Sequence, residues 1–69
     1  MSAKEWVIRN PEMMDGLPVL EGTRIPVYVV LEMLEAGLTP EDIRRELPTL
    51  SLEHIRAALH YASQLCSQA

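Results

Sequence analysis

Four arginines are the side chains of this sequence best suited to hold an anionic partner. Arg24 lies in a stretch rich in proline and glycine, Arg44 and Arg45 are consecutive, and Arg56 stands further along the chain. A guanidinium group binds phosphate or carboxylate oxygens through two parallel hydrogen bonds, so nucleic acid and protein partners are both open. Arg24 could equally tie its own segment to an acidic residue nearby. Glu41 precedes Arg44 and Arg45 at spacings that favour an ion pair within one helix.

Glu53, Arg56 and His60 lie on one side of a predicted third helix and could contact bases. In the major groove, arginine can bind guanine and glutamate can accept a hydrogen bond from cytosine. A solvated polar helix face would have the same sequence, so the pattern leaves both interpretations open. The candidate DNA-binding residues are Arg24, Arg44, Arg45, Glu53, Arg56 and His60.

The net charge of the chain argues against DNA binding by a single copy. Its 69 residues carry six basic and ten acidic side chains, a net charge of −4, which the DNA backbone repels. A chain this short buries only about 60% of the surface that its unfolded form exposes, which favours a core shared between two copies. Trp6, Val7 and Ile8 form a short β-favouring run, and we predict a homodimer through pairing of this run.

Catalysis, metal binding and cofactors are not predicted. The sequence has no glycine-rich phosphate loop, and no nucleophile, base and orienting group stand out as a set. His54 and His60 would point about 120° apart on a helix, so they cannot share a metal ion. The single cysteine, Cys66, cannot form an intrachain disulfide. Without a signal peptide or a long apolar run, the sequence predicts a cytoplasmic protein that does not enter the membrane.

Short strands and turns are predicted for residues 1–26. Besides the run that begins at Trp6, residues 18–20 and 23–25 flank Glu21 and Gly22, a pattern that predicts a tight two-residue hairpin. Strands this short need helices or a second chain to pack against.

Three helices are predicted for residues 27–67. At the start of the first, Pro26 suits a first helical position, and the helix ends before Gly37, which suits the left-handed residue that follows a helix. Thr39 caps the second helix, with Pro40 at its first position, and Ser51 caps the third. The apolar arc of the third helix, predicted to face the other two, is Leu52, Ile55, Ala58, Leu59, Ala62, Leu65 and Cys66. The last two helices have the connectivity of a helix-turn-helix, although a plain three-helix bundle would have the same sequence pattern. With the short N-terminal strands, the predicted fold is α+β in one domain, residues 1–69.

Four motifs together resemble one family of small bacterial proteins. They are Gly-Leu-Pro-Val-Leu-Glu-Gly-Thr-Arg-Ile-Pro-Val at residues 16–27, Leu-Glu-Ala-Gly-Leu-Thr-Pro-Glu-Asp-Ile at 34–43, Pro-Thr-Leu-Ser at 48–51 and Ile-Arg-Ala-Ala-Leu-His-Tyr-Ala at 55–62. Through these motifs the chain resembles domain-of-unknown-function family 433, whose members are labelled VapB-like antitoxins. The resemblance implies short strands followed by a helix-turn-helix, and a role beside a PIN-like toxin encoded next door.

The function implied by this resemblance is that of an antitoxin in a toxin–antitoxin pair. Such a protein binds its PIN-like toxin and represses its own operon weakly by binding operator DNA, either as a dimer or as part of the toxin complex. The alternative is a non-catalytic interaction or adaptor module in which the helix-turn-helix serves only as a scaffold, because a fold does not determine a function. Salt distinguishes the two, since DNA binding weakens steeply as salt rises and an apolar protein contact does not.

Overall fold

The structure, a computed structural model, describes residues 5–12 and 14–67. Two short strands, β1 (Val7–Arg9) and β2 (Pro18–Leu20), precede three helices, α1 (Val27–Glu35), α2 (Pro40–Glu46) and α3 (Leu52–Ser67). This order is the predicted α+β arrangement, with residues 47–51 joining α2 to α3. Residues 1–4, 13, 68 and 69 of the predicted domain lie outside the described part.

β1 and β2 pair antiparallel, with Ile8 opposite Val19. The chain turns after β1 at Asn10, whose side chain accepts a hydrogen bond from the N–H of Glu12 at 2.9 Å. A 3-10 turn (Met14–Gly16) then leads into β2. The strand predicted to begin at Trp6 is therefore confirmed, although it begins one residue later, at Val7.

The predicted third strand at residues 23–25 is reduced to an isolated bridge between Val19 and Pro26, beside a hydrogen bond from the Leu20 N–H to the Ile25 carbonyl at 2.9 Å. The N–H of Thr23 donates to the Leu20 carbonyl at 3.0 Å, and Gly22 has a φ of 78° while the residue before it has no positive φ. This is the pattern of a type II turn, whose twist does not match that of paired strands. The Thr23 hydroxyl also donates to the Leu20 carbonyl and accepts from the Ile25 N–H. These bonds lead the chain out of the sheet towards α1.

The end of α1 is fixed by the glycine that the sequence indicated. The N–H of Gly37 donates to the Leu34 carbonyl at 3.0 Å, and the N–H of Leu38 donates to the Met33 carbonyl at 3.1 Å. With a φ of 99° at Gly37, these two bonds form a Schellman motif. At the other end, Pro26 is extended and immediately precedes the helix, whereas the prediction made it the first helical residue.

The start of α2 is a reciprocal cap between Thr39 and Asp42. The N–H of Thr39 donates to Asp42 Oδ2 at 3.0 Å, and the N–H of Asp42 donates to the Thr39 hydroxyl at 3.1 Å. The pKa of the Asp42 carboxyl is lowered from its usual 3.8, first by the Thr39 main-chain hydrogen bond, then by the Thr39 hydroxyl and by Arg45. The carboxylate therefore stays charged at the positive end of the helix dipole, as a good cap requires.

The core is built by β2, all three helices and the turn before α3. Its buried apolar side chains are Leu20, Val27, Val30, Ile43, Leu50, Ile55 and Ala58. Ile43 is the one buried residue of α2, so this short helix is held against the domain mainly by a single side chain.

The predicted apolar arc of α3 does not coincide with its buried face. Ile55 and Ala58 are buried as predicted, but the exposed members of the arc are Leu52, Leu59, Leu65 and Cys66. His54, which was not assigned to the arc, is buried at 9% exposure. The buried face is rotated from the prediction by roughly 60°, counting 100° per residue. The prediction followed the apolar residues alone, whereas the position of α1 and the sheet sets which side of α3 is covered.

Candidate functional site

The surface of α3 next to β1 holds a cavity in which predicted DNA-binding and dimer-interface residues meet. The cavity, about 340 Å³ in volume, is lined by Trp6, Glu53, Arg56, Ala57 and His60, and we call it the Trp6 cavity. Glu53, Arg56 and His60 are exposed and share one face because they are three and four residues apart. A ligand here would meet a guanidinium, a carboxylate and an imidazole beside an aromatic ring, a set that suits base edges or a peptide.

Trp6 packs against a buried histidine to which the sequence analysis assigned no role. The ring centroids of Trp6 and His54 are 5.0 Å apart and their planes meet at 83°, an edge-to-face contact. His54 Nδ1 accepts from the Ser51 N–H at 3.0 Å, and the Ser51 hydroxyl accepts from the His54 N–H at 3.3 Å. This is a capping box with histidine at the position where glutamate or glutamine is usual. The available signal was a histidine three residues after the predicted cap, Ser51.

The other ring nitrogen of His54 binds the turn that follows β2. His54 Nε2 lies 2.8 Å from the Glu21 carbonyl oxygen, which can only accept, so Nε2 carries the ring proton and Nδ1 is the acceptor. The Glu21 N–H in turn donates to the Trp6 carbonyl at 2.8 Å. We call this connected set, formed by Trp6, Glu21, Ser51 and His54, the His54 clamp. It joins β1 and the turn after β2 to the first turn of α3.

The other predicted DNA-binding residues do not line the Trp6 cavity. Arg45 forms an ion pair with Asp42, with 3.1 Å between Nη1 and Oδ1 and 74% of the arginine side chain exposed. An intrahelical pair was one predicted alternative, although with Glu41 as the acid. Arg24 and Arg44 are exposed and form no ion pair with the residues that the structure describes. Since an exposed pair contributes little to stability, all three guanidinium groups can still bind a partner.

A second surface feature is an apolar groove between α1 and α3. It has a volume of about 300 Å³, and no charged side chain is among the described residues that line it. Leu17, Tyr28 and Leu65 are 40%, 49% and 55% exposed at this groove. The remaining lining residues are Pro18, Val27, Leu31, Tyr61, Ala62 and Cys66. The sequence analysis missed this groove because it assigned no role to Leu17 and predicted Leu65 to face the core.

Metal binding and membrane crossing have no support in the described residues. No group of three histidine, cysteine, aspartate or glutamate side chains in residues 5–12 and 14–67 could hold a metal ion. None of the helices in the same ranges has both the length and the apolar character that crossing a bilayer requires. The Trp6 cavity and the apolar groove are two candidate sites on the surface of the described residues.

Most of the strands and helices that build both sites fall within the span of a known family. Residues 7–62 match the family model described as "Protein of unknown function (DUF433)". The chain belongs to this family. The match confirms the resemblance predicted from the sequence motifs, and it runs from β1 into the second half of α3. Two residues of this DUF433 chain that shape the candidate sites, Trp6 and Leu65, lie just outside the matched range.

A curated relative and a solved structure are also similar to this DUF433 chain. The chain is 41% identical over 61 residues to the uncharacterized protein y4eO of Sinorhizobium fredii, covering 88% of this chain and 28% of that protein. A crystal structure of a DUF433 member protein from Anabaena variabilis superposes with a TM-score of 0.82 at 27% identity. That superposition covers 91% of this chain and 62% of the other, so the chain spans less than two thirds of both.

Proposed function

We propose that the protein is the antitoxin of a bacterial toxin–antitoxin pair and that its folded domain binds a PIN-like toxin at the apolar groove. The resemblance to VapB-like antitoxins supports the class of partner. The apolar groove is proposed as the contact surface because Leu17, Tyr28 and Leu65, which line it, are all exposed. Clusters of exposed apolar side chains mark interaction sites in proteins, and covering them stabilises a complex by roughly 25 cal/mol per Å².

The charges beside the apolar groove favour a partner with basic residues next to its apolar contact. Glu32 and Glu35 are exposed and follow Tyr28 and Leu31 by four residues on α1, so they border the groove. The lining itself is uncharged, as described above. A toxin surface with an apolar centre flanked by lysine or arginine would match both features.

The variant Leu65→Asp should weaken toxin binding about 30-fold, because burying a leucine side chain contributes roughly 1.5–3 kcal/mol and each 1.4 kcal/mol is a factor of ten. Titration calorimetry with the purified PIN-like toxin encoded beside the gene measures this change. Growth rescue on co-expression of the two proteins is the cellular readout, and Leu65→Asp should rescue poorly.

Leu59→Asp is the matched control for the groove. Leu59 lies on the same helix, is 49% exposed against 55% for Leu65, and is not among the lining residues. This variant should bind and neutralise the toxin as the wild type does. Equal binding by the two variants would reject the groove as the contact surface, and a wild-type chain that neither binds nor neutralises the toxin would reject the antitoxin proposal.

Operator binding by a dimer is a second candidate function, supported by the outward face of α3. Arg56 and His60 are exposed there, on the second helix of the helix-turn-helix, which is the helix that enters the major groove in such proteins. With a net charge of −4, one copy offers few phosphate contacts, so two copies are needed.

The variant Arg56→Gln should reduce discrimination between the protein's own promoter and a scrambled duplex about tenfold, since a bidentate arginine–guanine contact contributes roughly 1–3 kcal/mol. Arg44→Gln, on α2, should instead lower the affinity for both duplexes equally and reduce the salt slope by about one. Fluorescence anisotropy between about 50 mM and 200 mM salt measures both effects. If the wild type binds neither duplex at low salt, operator binding is wrong and the adaptor interpretation gains ground.

A further inference from the structure

The outer edge of β1 presents main-chain groups that β2 does not reach. The Glu21 N–H donates to the Trp6 carbonyl, and in the register of the sheet this makes Trp6 and Ile8 the residues that bond to the β2 side. Because bonding alternates along an antiparallel strand, the N–H and C=O groups of Val7 and Arg9 point away from β2.

The corresponding edge of β2 is already covered by residues 23–25, which bond both main-chain groups of Leu20. Among the residues that the structure describes, no main-chain group outside β2 bonds to the N–H or C=O of Val7 or Arg9. β1 instead borders a cavity of about 400 Å³ between itself and α3, lined on the strand side by Glu5, Trp6 and Val7. Open space thus lies next to the strand.

We propose that this edge of β1 pairs antiparallel with the same edge of a second copy, with Val7 at the two-fold axis. In this register Glu5 of each copy lies opposite Arg9 of the other copy. Both side chains are exposed, and opposite charges at directly opposed positions stabilise a pair of strands. Extending the alternation of Val7 and Arg9 by two residues to Glu5, which precedes β1, turns its main-chain groups outward as well, so the same register satisfies the hydrogen bonding.

Neighbouring symmetric registers lack this charge complementarity. An axis at Arg9 places two arginines opposite each other, which is destabilising, and an axis at Ile8 places Arg9 opposite Val7. With the axis at Val7, the other face of the strand pair brings Trp6 opposite Ile8 of the second copy. That combination of an aromatic and a β-branched side chain is also favourable across strands.

Charge reversal at either end of this pairing tests the proposal. Glu5→Lys and Arg9→Glu should each weaken the dimer about tenfold, because two attractive pairs become two repulsive pairs. A tenfold change corresponds to about 1.4 kcal/mol. Sedimentation equilibrium of the chain alone, from low micromolar to millimolar concentration, measures the association. The result is independent of the proposed toxin and of DNA, since neither is present.

An equimolar mixture of the two reversal variants is the matched control. Each copy of one variant meets the opposite charge on the other variant at both positions, so the mixture should associate as tightly as the wild type. Far-UV circular dichroism shows whether each variant keeps its fold. A wild type that stays monomeric at millimolar concentration, reversal variants that associate like the wild type, or a mixture that fails to recover would each overturn the proposal.

Discussion

The variant His54→Ala should lower the free energy of unfolding by about 3 kcal/mol. Removing the imidazole breaks its hydrogen bonds to the Glu21 carbonyl and the Ser51 N–H and opens a void against the Trp6 ring. Each lost hydrogen bond contributes about 1 kcal/mol, and the lost packing of the buried ring adds to the cost. A chain of this length has a total stability of roughly 4–10 kcal/mol, so the variant would lose a large share of it.

Urea denaturation followed by the fluorescence of Trp6, the single tryptophan of the chain, measures the loss for His54→Ala. His54→Gln should be intermediate, because glutamine at this position can still accept from the Ser51 N–H but is not placed to bond the Glu21 carbonyl. His60→Ala is the matched control: His60 is exposed, and its removal should change stability by less than about 0.5 kcal/mol. Equal stability of the His54→Ala and His60→Ala variants would contradict the structural role of the clamp.

The variant Ile43→Ala should lower the free energy of unfolding by roughly 3–5 kcal/mol. Ile43 has 0% exposure and is the one buried residue of α2. The cavity left behind is therefore bordered by α1 and α3, while α2 loses its main attachment. In amide hydrogen exchange of this variant, the α2 amides should have a lower free energy of opening than the amides of α1 and α3.

Ile43→Val keeps most of the contact and should lower stability by about 1 kcal/mol. If Ile43→Ala also cost only about 1 kcal/mol, the packing of α2 would depend on its exposed residues instead. Ile43→Ala also affects the candidate operator surface. A helix-turn-helix whose first helix has detached cannot orient α3 on a duplex.

Local signals made the helix boundaries of this chain predictable. α1 ends at Gly37 and α2 begins after Thr39 through hydrogen bonds between residues no more than five positions apart. A short stretch of sequence therefore contains the information needed to predict these boundaries. The cap at Ser51 has the same character. Glu53, Arg56 and His60 were correctly placed on an exposed face for the same reason, since their spacing alone puts them on one side of α3.

Features that depend on distant contacts were not predictable from these signals. His54 is buried because the Glu21 carbonyl and the Trp6 ring meet it there, and both lie far from it in the sequence. The third strand predicted at residues 23–25 does not form because the turn at Gly22 has the twist of a type II turn. The pair Glu21-Gly22 does not by itself indicate that turn type. Predicting the apolar groove would have required knowing that Leu65 and Tyr28 stay exposed beside each other, which depends on how α1 packs against α3.

The bond from His54 Nε2 to the Glu21 carbonyl joins residues 33 positions apart. Closing a loop of that length has a large entropic cost. The helices and the β1–β2 pair form between residues closer in sequence, so their entropic cost is smaller. We therefore expect the clamp to form after the folding transition state, so that it slows unfolding rather than speeding folding. For this small DUF433 chain, the lifetime of the folded state against proteolysis would then depend on a contact made late in folding.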